Sequence, residues 1–224
     1  MIAVAIDGPA GAGKSSLSRR LAEALGYIYV DTGALYRAVG LKLSRKDSDC
    51  ENVALVEDIL KDTKLDIRYE DGVQVVLLDG ENVNGLIRTP EASMMASKCS
   101  ALPIVRAFLL DMQRNLAKTQ NVVMDGRDIG TVVLPDAQVK IFLTASVRAR
   151  SERRYKELIE KGENVTLEEV MADVEKRDYN DSHREIAPLK PAEGGIIVDT
   201  TELNFEESLE ALKNTVKAVL EGEN

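Results

Sequence analysis

The sequence predicts an α/β fold, with a parallel sheet covered by helices on both faces. Three observations lead there. Short apolar runs of strand length recur along the chain, at Ile2 to Ile6, Tyr27 to Val30, Val122 to Met124, Val139 to Leu143 and Ile196 to Val198. Stretches with helical spacing of apolar residues separate these runs, and parallel strands buried on both faces read as such unbroken runs. The first run passes directly into a glycine-rich turn, Gly8-Pro9-Ala10-Gly11-Ala12-Gly13, followed by Lys14, Ser15 and Ser16.

Each element can be justified in order. A helix starts at Lys14 and carries Leu17, Leu21, Ala24 and Leu25 at core spacing before Gly26 stops it. The second apolar run leads into Asp31-Thr32-Gly33-Ala34-Leu35-Tyr36-Arg37, which places Arg37 on the first turns of a second helix. Leu65 to Tyr69 and Val73 to Leu77 flank Glu70-Asp71-Gly72 and read as a β-hairpin. Two strands so close in sequence cannot both join a parallel sheet, so residues 62–92 are expected to form an insertion. The run Val122 to Met124 ends in Asp125-Gly126-Arg127-Asp128. Arg148, Arg150, Arg153 and Arg154 lie on a helix after Leu143. Thr166 with Glu169, and Asn204 with Glu207, have the spacing of capping boxes that open two further helices. In the last, Leu209, Leu212, Val216 and Val219 share one face.

Length and charge bound the function. A chain of 224 residues suffices for one large domain or a core with insertions. The net charge of −9 opposes binding to a nucleic-acid polymer, whose affinity rests on neutralising many phosphates. No stretch approaches the roughly 18 apolar residues of a membrane span. The start runs straight into Ile2-Ala3-Val4 and argues against a signal peptide. Cys50 and Cys99 are far apart, and His183 is the single histidine, so a zinc site has little support. The expectation is a monomeric cytoplasmic protein with reduced thiols, without a membrane or nucleic-acid partner.

The chemistry is carried by a few segments. Gly8, Gly13, Lys14 and Ser15 satisfy the phosphate-loop pattern G-x-x-x-x-G-K-[ST], between a strand and a helix as that motif requires. Backbone N–H groups of such a loop, with the positive end of the following helix, hold polyphosphate. Lys14 would neutralise β- and γ-phosphate charge, and Ser15 would help bind Mg²⁺. Asp125 ends a strand as a Walker-B carboxylate does, helping to hold Mg²⁺ or its water, and Arg127 at the strand exit can fork onto a phosphate. Arg37 is expected to face the same crevice at the carboxyl edge of the sheet, although Asp31 to Arg37 also fits a helix cap with a solvated arginine. Arg177, Asp181 and Arg184, at i, i+4 and i+7, share a helix face suited to phosphate or to a solvated ion-pair stripe. Arg150, Arg153 and Arg154 share a face and are expected to clamp transferring phosphates; a solvated basic helix is the other reading. His183 and Cys99 read as second-rank and packing residues. Thr63-Lys64-Leu65-Asp66 matches a guanine-reading pattern but precedes the Walker-B candidate and lacks a switch motif.

Taken as an ordered set, these motifs resemble the bacterial cytidylate kinases, which phosphorylate CMP and dCMP. The resemblance covers nearly the whole chain: Ile6 to Lys14, Asp31 to Arg37, Ile87-Arg88-Thr89, Asp125 to Val133, Lys140 to Leu143, and Arg177-Asp178 leading to Ala187-Pro188-Leu189. It implies a three-layer P-loop kinase with a five-stranded parallel core, an inserted monophosphate-binding region and a helical, arginine-rich lid over residues 148–165. It implies ATP and CMP or dCMP as substrates, with Arg37, Arg127, Arg177 and Arg184 around the CMP phosphate and sugar. It further implies that Ser97, Arg106 and Asp128 read cytosine, with Asp181 at the ribose and Gly126 lining the site. Thr32 stands where family members often have Ser, and keeps a hydroxyl for the substrate. Other readings of the residues are a kinase for another small acceptor such as UMP, or a nucleotide-dependent switch.

Overall fold

The computed structural model describes residues 1–222. Five parallel strands form the central sheet: β1 (Ala3–Asp7), β2 (Ile28–Asp31), β6 (Val122–Gly126), β7 (Val139–Thr144) and β8 (Ile196–Asp199). Their spatial order is β2-β6-β1-β7-β8. The register sets Asp31 beside Asp125 and Asp7 beside Gly126, so three acidic strand ends meet at one edge of the sheet.

Alternation along the strands sends side chains to two cores. Val4, Ile6 and Val123 pack on one face with Leu17 and Leu21 of α1 (Lys14–Leu25) and Leu212 and Val216 of α8 (Phe205–Glu221). Ala3, Ala5 and Met124 pack on the other, against Ile129, Val133 and Leu110 of α5 (Pro103–Thr119). The three layers thus follow from strands apolar on both faces and helices apolar on one. Both capping boxes are present: Thr166 opens α7 (Leu167–His183), and Asn204 opens α8.

A third core lies beside the sheet. There α2 (Thr32–Ser44), α3 (Val53–Lys61) and α5 pack with a small antiparallel sheet of β3 (Leu65–Glu70), β4 (Val73–Leu78) and β5 (Glu81–Asn82). Asp71 and Gly72 make the two-residue turn between β3 and β4, both with positive φ (49° and 77°), which matches the right-handed twist of the hairpin. β5 was not expected from the sequence; at two residues it is too short to show a period. The inserted sheet is tied to the main one by Gln74, whose amide accepts from Asp31 N at 2.9 Å and donates to Asp31 O at 3.2 Å. α4 (Pro90–Cys99) then packs on α2, where Gly40 admits Met95; a Cβ there would lie 2.9 Å from it.

Two departures from the sequence reading concern the site. After β6 the chain makes a π-helical turn, Ile129–Val133, for which the sequence reading named no element. α7 ends at His183, so Arg184 is its extended C-cap (φ −64°, ψ 142°) and does not continue the helical i+7 spacing. Among the described residues no single helix is long and apolar enough to cross a membrane.

Candidate active site

A cleft of about 410 Å³ opens at the carboxyl edge of the sheet. Its floor is the loop between β1 and α1. Ala10 to Ser16 line the cleft, while Gly8 and Pro9 form the root of the loop. Gly8 has φ 152°, and a Cβ there would fall 2.0 Å from the Leu143 carbonyl oxygen of β7, so only glycine allows this crossing. Lys14 is buried, and its Nζ donates to the Pro9 carbonyl at 2.6 Å. Burial first, and then the positive charge of Arg127, hold its pKa well below the ordinary lysine range.

The end of β6 adds a carboxylate. Asp125 Oδ2 accepts from the Ser15 hydroxyl at 3.1 Å, and Oδ1 accepts from the Tyr29 phenol at 2.8 Å. Burial and then the nearby Asp31 raise the pKa of Asp125, while Lys14, Tyr29 and Ser15 oppose the shift. Thr32 Oγ1 donates to the Asp125 carbonyl at 2.7 Å.

The rest of the cleft carries a set of arginines held by aspartates, one pair local and the others from separate segments. Arg37 pairs with Asp31 at 3.1 Å. Arg127 Nε donates to Asp181 Oδ2 at 2.8 Å, and Arg106 pairs with Asp128. Arg184 Nη2 lies 3.7 Å from Asp128 Oδ1. Arg177 and Ser97 line the same cleft. Burial alone would raise the pKa of Asp181, but Arg127, then Arg184 and Arg177, bring it below the usual carboxylate range. Arg37 Nε and Arg184 Nη2 are buried without a hydrogen-bond partner. Most buried N–H donors are paired, so these two retain unused bonding capacity among the cleft residues.

The model of the cytidylate kinase family matches residues 4–218. The chain belongs to the cytidylate kinase family. A cytidylate kinase of Caldicellulosiruptor bescii is 49% identical over 99% of this chain and 98% of its own length. One from Thermosipho melanesiensis is 50% identical over 96% of each. Among solved structures, the shikimate kinase of Bacteroides thetaiotaomicron superposes with a TM-score of 0.50 at 14% identity, covering 96% of this chain and 98% of its own. That likeness concerns the fold alone.

Several of the arginines expected from the sequence behave differently in this cytidylate kinase fold. In α6 (Val147–Glu160), Arg154 lines the cleft and pairs with Glu157 at 3.0 Å. Arg150 is buried behind the phosphate loop: it donates to the carbonyls of Ala10 and Ala145, each at 2.8 Å, and grips Asp178 of α7 at 2.6 and 3.0 Å. Arg153 turns away to the loop after β8, where it donates to Thr200 O at 2.5 Å and Thr200 Oγ1 at 3.2 Å. The expected three-arginine clamp is therefore one arginine in the cleft and two braces. α6 lies between two walls, so residues sharing a helix face still find different partners. Asp181 likewise serves Arg127 across the cleft, in place of bridging Arg177 and Arg184 along its own helix. The Thr32 hydroxyl proton, expected at the substrate, is taken by the Asp125 carbonyl.

Other residues in or next to the cleft escaped sequence reading. Arg88, at the end of the inserted segment, lines the cleft 3.5 Å from Asp31. Asp7 accepts from the amides of Ile129 and Gly130, both at 2.7 Å, and burial pushes its pKa up to about 6. Tyr29 gave no signal beyond its place in an apolar strand. His183 stacks on Tyr179 with ring centroids 4.1 Å apart, outside the main cleft. Cys50 and Cys99 are buried and unpaired. Thr63 caps α3 through Ile59 O at 2.7 Å, which explains its place in the discarded guanine-like pattern.

Proposed function

We infer that the chain transfers the γ-phosphoryl group of ATP to CMP or dCMP, giving ADP and CDP or dCDP. The observation that carries this reading is the cleft with two unlike phosphate sites: the backbone loop with Lys14 on one side, and the arginines with unpartnered N–H groups on the other. An enzyme that only hydrolyses a nucleotide has no use for the second. Gly8 to Ser16 would take ATP. Arg37, Arg127, Arg177 and Arg184 would hold the CMP phosphate and sugar, with Thr32 and Gly126 beneath them. Ser97, Arg106 and Asp128 would read cytosine, and Asp181 the ribose. Residues 62–92 would shape the acceptor side, and residues 148–165 would serve as a lid carrying Arg154.

The residues also suit Mg²⁺. Ser15 and Asp125 supply hard oxygen donors at the mouth of the phosphate loop. Among the described residues no cluster of three or more acidic, His or Cys side chains surrounds them, which fits an ion held by one carboxylate, water and substrate phosphates. Bound there, Mg²⁺ would neutralise charge on the β- and γ-phosphates. The protein's own work is positioning and charge neutralisation. Arg127 and Arg37 would aim the acceptor phosphate, whose attacking oxygen is already ionised and needs no general base. Lys14 and Arg154 would share the charge that spreads over the transferred group. Both substrates enter a cleft formed within one chain, which supports action as a monomer. Two free thiols, Cys50 and Cys99, favour a reducing cytoplasmic setting.

A coupled assay of ADP formation with ATP, Mg²⁺ and a panel of monophosphates tests the reading. CMP and dCMP are expected to be fastest, UMP slower, and AMP and GMP poor. Slow ATP hydrolysis that ignores CMP overturns it. In the same assay Arg184→Ala should raise KM for CMP by roughly 10-fold or more, the loss of a hydrogen bond to a charged group, with KM for ATP near wild type.

A further inference from the structure

One polar side chain of the main core has no part in the chemistry above. Tyr29 is 7% exposed and sits on β2 among Leu17, Leu21 and Val123. A phenylalanine would fill the same space; what the tyrosine adds is a hydroxyl, and that hydroxyl is spent on Asp125 Oδ1 at 2.8 Å. Both the ring and the backbone of Tyr29 have partners. The Arg19 guanidinium lies 5.7 Å from its centroid, and the Tyr29 carbonyl accepts from the Tyr69 hydroxyl of the inserted sheet at 3.1 Å. A carboxylate has two oxygens and rotates freely about its last bond unless both are engaged. Here one is occupied from inside the core, and the other faces the Ser15 hydroxyl at 3.1 Å.

We propose that Tyr29 is a positioning residue for the divalent metal. By occupying Oδ1 it fixes the plane of the Asp125 carboxylate and leaves Oδ2, beside Ser15, as the single oxygen presented at the phosphate loop. Mg²⁺ demands near-ideal octahedral geometry, so a rotated carboxylate is a poorer partner even when it stays ionised. Partners that orient a metal-binding carboxylate typically contribute 10- to 100-fold to metal affinity. The proposal rests on the reading of Ser15 and Asp125 as the Mg²⁺ pair.

The test uses the whole protein as wild type, Tyr29→Phe and Asp125→Asn, with Mn²⁺ as the probe. Electron paramagnetic resonance gives the Mn²⁺ affinity of each protein saturated with a non-hydrolysable ATP analogue, and calorimetry gives its CMP affinity. Tyr29→Phe should weaken Mn²⁺ binding roughly 10-fold and leave CMP binding near wild type. In turnover, the half-saturating Mg²⁺ concentration should rise while KM for CMP holds. Weakened Mn²⁺ binding in Asp125→Asn, with none in Tyr29→Phe, overturns the positioning role alone. Unchanged binding in both variants overturns the metal pair and the positioning role with it. Parallel loss of CMP and Mn²⁺ binding in Tyr29→Phe assigns the phenol a general structural part and also overturns the proposal.

Discussion

On the phosphate-loop side, one unbroken segment lines the cleft from Ala10 to Ser16, with Gly8 and Pro9 at its root. On the arginine side, cations come from α2, α5, the end of β6 and α7; Arg37 is held by Asp31 at the start of its own helix, whereas Arg106 and Arg127 are held by aspartates 22 and 54 residues away. The first surface needs a tight turn and the start of a helix, both local properties. The second brings several like charges into one small space, which is tolerable only because carboxylates neutralise them. A backbone-built site therefore depends on a few positions: the glycines that let the loop turn, above all Gly8, and the side chains of Lys14 and Ser15. A side-chain-built site spreads its function over many residues.

Lys14→Ala is the severest test of that contrast. It should remove transfer beyond the ~10²–10³ expected for a single donor in a charge-stabilising site, because Lys14 is the buried cation within the loop itself. A modest loss in the coupled assay would break the comparison. Next is α6: Arg154→Ala should lower turnover by about 10³-fold, as removal of an arginine from transferring phosphates does. Arg153→Ala should leave turnover near wild type and lower Tm by a few °C, since its partners are Thr200 and Leu203. Equal kinetic losses in the two variants would restore the shared clamp.

A smaller effect concerns Asp7, which joins the two sides by bonding the turn after Arg127 and Asp128. Burial pushes its folded pKa up to about 6 from the ordinary 3.8, so between these limits the native state holds a proton that the unfolded chain has lost. Stability from this group is therefore present at low pH and falls as pH rises through about 4 to 6. The difference in unfolding free energy between wild type and Asp7→Asn should drop by about 3 kcal/mol across that window, measured by urea unfolding. A flat difference would mean that Asp7 does not hold an extra proton in the native state.

Much of this was legible in sequence. The five buried strands, the first helix with its Gly26 stop, both capping boxes and the hairpin turn are set by short-range spacing. So is the phosphate loop, whose residues are adjacent in the chain. The resemblance to cytidylate kinases pointed to the arginine wall, but not to how its members pair. β5 and the π turn after Asp128 left no periodic trace because each is too short for one.

By itself the sequence determined the parallel sheet, the loop that takes a polyphosphate, and the supply of arginines to face it. These rest on backbone preferences and apolar periodicity, which act over a few residues. Only the tertiary structure decided which arginines enter the cleft, which brace it, and which carboxylate each one meets. Tyr29 and Asp125 stand 96 residues apart, and only the parallel register of β2 and β6 makes them neighbours. Side chains on one helix face can also meet different walls, as Arg153 and Arg154 do. Charge and hydrogen bonding act at contact distance, and contact across such separations is a property of the folded chain.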